Sequence, residues 1–341
     1  MVSVVVPIFN EEENLPELRR RMTAALDATG EAWELILVND GSRDGSVKLI
    51  REFHALDPRV KLIELSRNFG HQAALTAGVH HARGRCVVLS DGDLQDPPEV
   101  IPELVAKWRQ GFQVVLAERR SRSDSGARGL GFRLFYPVMR RVTDLPESPD
   151  AGVFGLMDRV VVDEFNKLGE HNRFIPGLRT WLGFKQGSVL YDRQERAGGA
   201  PKQSFRRLVV YALDGMISFS NKPLRAATYC GFLVSTVAFL LALYYFVTFF
   251  AFDKQAGSGF TTIILSVLFL GGVQLISVGI LGEYIGRIYE EVKRRPLYIV
   301  RETAGLDVAV AGNGHATGGS PRGQTGRPTS VTAGETPTGA N

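Results

Sequence analysis

The sequence predicts an α/β chain: a parallel sheet covered by helices on both faces, then an amphipathic interface region and a two-helix transmembrane hairpin. Three observations carry this prediction. Strand and helix signals alternate through residues 1–120, polar loops end successive apolar strands, and two long stretches beyond residue 225 hold no charge.

The strand signals are VSVVV, WELILV, VKLIEL, CVVL and QVVLA, separated by helical stretches from Glu11, from about Gly45, over 70–83 and over 98–110. Near-continuous apolar strands suit a sheet buried on both faces. Ligands of open α/β sheets bind at the carboxyl ends of the strands. The first strand ends in PIFNEEEN, the second in NDGSRDGS and the fourth in SDGDLQD, so three polar loops should converge on one edge.

The loop after CVVL gathers Asp91, Asp93 and Asp96. Like charges gather where a cation sits between them or where each acid has its own partner. Asp96 precedes Pro97, Pro98 and Glu99 and reads as a helix N-cap with a capping box. Asp91 and Asp93 alternate at the strand exit with Gly92 between them, and Gln95 continues the alternation. These three oxygen donors suit Mg²⁺ or Mn²⁺. His80, His81 and His171 offer no paired spacing for zinc, and nothing in the chain predicts a nucleic-acid partner. No Walker A sequence follows any strand, and GLGFRL at 129–134 is a broken GxGxxG. What remains is a nucleotide held by base and ribose at the first two loops, its diphosphate neutralised by the cation. Asp44, before Gly45, reads as a turn residue, and Asp40 less so.

Across 341 residues, 44% hydrophobic content would suit a soluble enzyme, but the apolar residues are unevenly spread. No charge falls between Ala226 and Phe252 or between Ala256 and Gly282. Each run exceeds the roughly 20 residues that span a bilayer. The intervening DKQ, 253–255, leaves room for a tight hairpin between antiparallel spans. Lys222 and Arg225 precede the first span, and Arg287, Lys293, Arg294, Arg295 and Arg301 follow the second, which predicts cytoplasmic flanks. The start MVSVVVP has no basic n-region or cleavage site, so the first 220 or so residues are expected on the same side. Cys86 and Cys230 read as inert core residues. Between Arg193 and Arg225 seven Lys or Arg face two acids, and QSFRRLVVYALDGMISF reads as an interfacial helix. Lys202 and Arg206, near a Gly-rich loop, are candidates to meet an anionic acceptor headgroup. The expected organisation is a cytoplasmic catalytic domain over 1–200, interfacial helices over 201–225, membrane helices over 226–286, a basic segment over 287–303 and a disordered tail over 304–341.

VPIFNEEENL, VNDGSRDGS, LSRNFGHQAALTAG, DGDLQDPPE, RFIPGLRTWLGF and LDGMISFSNKPLR, with the two spans, resemble the family 2 GT-A glycosyltransferases that act on polyprenyl phosphates. These include bactoprenol glucosyltransferases and dolichol-phosphate mannose synthase-like enzymes. The resemblance covers about residues 2–300 and implies a Rossmann-like, nucleotide-sugar-binding GT-A sheet in a bacterial plasma-membrane enzyme. It implies that Pro7, Phe9, Glu11, Val38 and Asp40 hold the nucleoside, and that Asp91, Asp93 and Gln95 surround the metal, Asp91 serving both. It further implies an acceptor-phosphate role for Arg119 and an active-site role for Asp150 beside Asp93. Val153 and Gly155 stand where relatives commonly carry an acid and a base, and Pro201 stands where many have Ser or Thr.

The implied reaction moves a hexose, glucose first and from a UDP-sugar, onto undecaprenyl or another polyprenyl phosphate with inversion. A GDP-mannose-dependent mannose synthase is the second reading, and a non-catalytic membrane scaffold the third. A processive polysaccharide synthase would be expected to show QxxRW, whereas QSFRR lacks the tryptophan. A homo-oligomer and a flippase partner are compatible with the family.

Overall fold

The strand segments form as their patterning predicts. In a computed structural model, residues 1–120, 152–171, 173–192, 222–252 and 259–306 are described. The first five strands are β1 (Val2–Ile8), β2 (Trp33–Asn39), β3 (Val60–Leu65), β4 (Cys86–Leu89) and β5 (Val114–Arg119). The helices between them are α1 (Leu15–Asp27), α2 (Ser46–Leu56), α3 (His71–His81) and α4 (Ile101–Arg109). Then follow β6 (Gly155–Asp158), α5 (Arg159–Lys167), α6 (Ile175–Trp181), β7 (Gln186–Tyr191), α7 (Lys222–Phe252), α8 (Phe260–Lys293) and β8 (Val300–Ala304).

Successive residues of a strand point to opposite faces, and the core divides accordingly. Val4, Val6 and Ile8 join Leu35 and Leu37 in one buried cluster with Leu15, Leu18 and Met22 of α1. Val5, Ile36 and Val38 join a second cluster with Leu75 and Val79 of α3. Both faces are therefore covered. Cys86 lies buried in β4, where burial pushes its thiol up to about 12, so it behaves as core.

The sheet runs β7-β5-β6-β4-β1-β2-β3-β8. Pairings among β1, β2, β3 and β4 are parallel, as is β5 with β7. Two strands depart from the all-parallel expectation. The chain returns at β6 antiparallel to both β4 and β5 and separates them. Its four residues, GLMD, are too short to carry a readable period.

Two local expectations also change. The stretch from Glu11 begins as a turn, with the Asn14 amide donating to Glu11 O at 3.0 Å, and regular helix starts at Leu15. Asp96 is not a cap. Pro97 in extended conformation precedes a 3₁₀ turn over Pro98–Val100, which has no side-chain cap. Glu99, the would-be partner of a capping box, instead pairs with Arg21 at 2.6 Å. Asp96 has turned into the interior.

α7 and α8 contain 31 and 34 residues. Among the described residues one stretch, Phe269–Lys293, is long and apolar enough to cross a membrane, while Ala227–Leu241 forms a shorter apolar helical stretch. Large side chains such as Leu233, Phe239, Leu275 and Ile276 are exposed on them. The expected turn at 253–255, the interfacial segment from 201 to 221 and the tail from 307 onward lie outside the described residues.

The basic segment after α8 supplies more than charge. Val300–Ala304 pairs antiparallel with β3 as an edge strand, and Leu306, inside the expected tail, is buried in the second core cluster. Arg301 reaches Glu64 of β3 at 3.1 Å and donates to Ser66 O at 2.9 Å. Arg51 bridges the same buried Glu64 at 3.0 Å and Glu302 at 2.8 Å. A carboxylate buried with two cations makes removal of one partner costly. A chain ending at Leu306 is expected to melt within about 2 °C of the full chain. One ending at Leu297 loses the edge strand and Arg301 and should melt about 5 °C or more lower, measured by thermal denaturation in detergent.

Candidate active site

The loops after β1 and β2 are laced together at the carboxyl edge. The Asn10 amide donates to Ser42 Oγ at 3.0 Å, the Arg43 amide to Asn10 Oδ1 at 2.9 Å and the Gly45 amide to Glu12 Oε2 at 2.7 Å. Asp44 accepts from the Ser46 amide at 3.1 Å and from the Glu12 amide at 3.2 Å. Much of the polarity of PIFNEEEN and NDGSRDGS thus satisfies backbone.

The residues that the resemblance places at the nucleoside fall around this seam. Pro7 and Val38 are register partners across β1 and β2, and both are buried. Phe9 is exposed, and the Glu11 amide donates to Ser46 Oγ at 3.2 Å. Asp40 is buried and accepts from the Phe69 amide at 2.7 Å and the Gly70 amide at 3.0 Å. Burial raises its carboxyl above the usual range against those two bonds. It thereby holds the entry to α3.

The first residue of α3 reaches the acidic loop, His71 Nε2 donating to Asp91 Oδ1 at 2.8 Å. Burial disfavours the imidazolium, but the Asp91 bond and the charges of Asp91, Asp40 and Asp93 outweigh it and raise the His71 pKa.

Beyond β4 the chain keeps a strict alternation. Asp91, Asp93 and Gln95 are half-buried, whereas Gly92, Leu94 and Asp96 are buried. Leu94 adopts φ 58°, uncommon for a residue with a side chain, and joins the first core cluster. A Cβ on Gly92 would come 3.1 Å from Pro7 O and 3.0 Å from Ile8 Cδ1, so glycine lets this loop close on β1. Among the described residues no three His, Cys, Asp or Glu form a metal cluster. Two carboxylates and an amide still fit Mg²⁺ or Mn²⁺, which bind through one or two carboxylates with substrate phosphates completing the shell.

Arg119, the last residue of β5, is register partner to Tyr191, the last of β7. Its Nε donates to Tyr191 Oη at 3.3 Å, and its Nη2 lies 3.8 Å from Asp96 Oδ1. Tyr191 Oη donates to that same oxygen at 2.6 Å. The ring meets Phe154 edge-on, centroids 5.6 Å apart. Neither Asp96 nor Tyr191 was a site candidate from sequence: the first was masked by its resemblance to a cap, and the second ends a strand with little apolar pattern.

A second arginine works from inside. Arg179 of α6 is fully buried and donates to Gly152 O at 3.0 Å and Val153 O at 3.3 Å. Burial pulls it down to about 10. A Cβ at Gly155 would stand 2.7 Å from Arg179 Nη1. Gly155 therefore makes room for a guanidinium from another element. Asp150, Lys202 and Arg206 lie outside the described residues.

A polar, acid-bearing loop set at the carboxyl edge of a mixed α/β sheet marks a ligand site, and sequence comparison supplies the class of the chain. Residues 3–165 match the model of glycosyl transferase family 2, and residues 222–288 match the GtrB C-terminal hairpin. The uncharacterized glycosyltransferase YkcC of Bacillus subtilis is 43% identical over 308 residues, 89% of this chain and 94% of the relative. The SfII prophage-derived bactoprenol glucosyl transferase of Shigella flexneri is 40% identical over 303 residues, covering 89% and 98%. The chain belongs to glycosyltransferase family 2. Among solved structures, the mannosyltransferase PcManGT of Pyrobaculum calidifontis, in complex with GDP-Man and Mn²⁺, aligns over 85% of this chain and 86% of its own at 16% identity and TM-score 0.43. That likeness is too loose to carry chemistry across.

Gly41 tests the seam. It has φ 71°, and a Cβ there would lie 2.6 Å from Asn68 N and 2.7 Å from Arg67 C, both backbone. Gly41→Ala is expected to lower the melting temperature by about 5 °C and weaken nucleotide binding about tenfold, read by thermal denaturation and titration calorimetry.

Proposed function

We propose that the protein transfers glucose from UDP-glucose to a polyprenyl phosphate with inversion, at the cytoplasmic face of a bacterial plasma membrane. The carrying observation is the union of a family 2 sheet bearing the alternating acid loop with a GtrB-type hairpin, at 40% identity to a bactoprenol glucosyl transferase along nearly its whole length.

In this reading the laced first and second loops carry Pro7, Phe9, Glu11, Val38 and Asp40 around the nucleoside. Asp91, Asp93 and Gln95 would hold Mg²⁺ or Mn²⁺. Once bound, that ion offsets the charge that builds on the departing diphosphate. Arg119, with Lys202 and Arg206, takes the acceptor phosphate. With a second pKa of about 6, a phosphate monoester is mostly dianionic at neutral pH. Its oxygen can attack the anomeric carbon from the face opposite the leaving group, forming one C–O bond as the other breaks and the nucleoside diphosphate leaves with the electron pair. Asp150 then has an orienting task more than a demanding deprotonation. Arg179 supports it by clamping the carbonyls two and three residues downstream.

The membrane reading rests on the return of the chain. β8 pairs with β3 after α8, so a path that leaves the sheet before α7 crosses a bilayer an even number of times. If Phe269–Lys293 provides one crossing, a second is required, and among the described residues α7 is the helix available. The basic flanks support a cytoplasmic catalytic side.

Membranes carrying the protein, incubated with a panel of labelled nucleotide sugars, should move label from UDP-glucose into a chloroform-soluble, acid-labile lipid. Label from GDP-mannose instead would reassign the donor. Asp93→Ala is expected to reduce transfer at least about 100-fold with the melting temperature held within about 2 °C, because a half-buried loop ligand serves the site and not the core. Full activity in metal-free buffer would remove the metal from the scheme. In detergent, Arg119→Glu should raise the KM for polyprenyl phosphate about tenfold or more with little change for donor, while Lys222→Glu changes it less than about twofold.

A further inference from the structure

We infer that Tyr191 and Asp96 are positioning residues for Arg119, holding its guanidinium beside the acidic loop so that acceptor binding depends on two buried side chains. The inference rests on the reading of Arg119 as the acceptor-phosphate residue.

One end of the guanidinium is anchored and the other presented. Nε donates to Tyr191 Oη at 3.3 Å and Nη2 lies 3.8 Å from Asp96 Oδ1, while among the described residues no hydrogen bond engages Nη1. The Arg119 side chain is 27% exposed, against 5% for that of Asp96. The counter-charge is therefore sunk in the core, where it holds the cation without presenting a carboxylate to an incoming phosphate. A planar fork fixed in this way is preorganised for phosphate, whereas an unrestrained arginine would lose rotamer freedom on binding.

Tyr191 is itself held from three sides. Its hydroxyl donates to Asp96 at 2.6 Å, its ring packs edge-on against Phe154, and its carbonyl accepts from the Arg120 amide at 2.9 Å. Parallel pairing of β5 with β7 sets it opposite Arg119. Stability alone does not explain the cluster. Buried charged groups are often replaceable by apolar residues at no loss, so a Tyr-Asp pair aimed at a half-buried arginine points to orientation. Asp96 also belongs to the alternating loop, on the side of the chain that faces the core, next to the half-buried Gln95 and three residues from the half-buried Asp93. The same backbone thus fixes both the acidic donors and the arginine.

The test is a double-mutant cycle in detergent with a short-chain polyprenyl phosphate, reading KM for each substrate and the melting temperature. Tyr191→Phe keeps the ring and its packing but removes the bridging hydroxyl. It is expected to raise the acceptor KM about fivefold or more with donor KM within about twofold, and Asp96→Asn should do the same. Neither should add to Arg119→Ala. Effects that multiply with Arg119→Ala, or rise equally for both substrates, overturn the inference. If Arg119→Ala leaves the acceptor KM unchanged while the pair stays non-additive in melting temperature, the positioning contact stands and the acceptor reading of Arg119 fails. Should Tyr191→Phe prove unstable, Asp96→Asn carries the same comparison.

Discussion

The site depends on one constraint, the two-residue alternation that the chain keeps after leaving β4. Because Gly92, Leu94 and Asp96 are drawn inward, Asp91, Asp93 and Gln95 are left at the surface of the edge. The inward set is anchored in three different ways: glycine closes on the backbone of β1, leucine enters the core, and aspartate accepts from Tyr191. Leu94 tolerates a left-handed backbone because its side chain gains burial. Like-charged donors are held close together in part by forces that act on their neighbours.

Around this loop, polar side chains do two kinds of work. Asn10, Glu12, Ser42 and Asp44 satisfy backbone amides and weld the first two loops into one rim. Asp40 does the same for the start of α3, whose His71 then reaches Asp91. A rim built this way presents rigid geometry, which lowers the entropic cost of capturing a ligand.

The far edge of the sheet solves a different problem. Two long helices stand between β7 and β8 in the chain, which must be held where it returns to the sheet. The pairing of β8 with β3, reinforced by Arg51, Glu64, Arg301 and Glu302, ties the chain on both sides of α7 and α8 to the same sheet. The Ser66 amide donates to Ile299 O at 2.8 Å, so the returning segment also touches the loop whose amides Asp40 holds.

The sequence by itself determined what is periodic and local. Five strands, the helices between them, the convergence of acidic loops and the alternation of Asp91, Asp93 and Gln95 are written in residues one to four positions apart, and the family is legible in contiguous stretches. Tertiary structure alone decided what joins distant residues. Arg119 and Tyr191 are 72 positions apart and Tyr191 and Asp96 are 95, so no window along the chain contains the cluster they form. For the same reason Asp96 looked like a cap: its neighbours Pro97, Pro98 and Glu99 satisfied a local rule, while a buried hydroxyl offered the stronger partner. The insertion of β6, the docking of β8 and the guanidinium filling the space beside Gly155 were equally hidden. Each is fixed by which surfaces meet in the folded sheet, and that is settled by burial and charge pairing across the whole molecule and not by order along it.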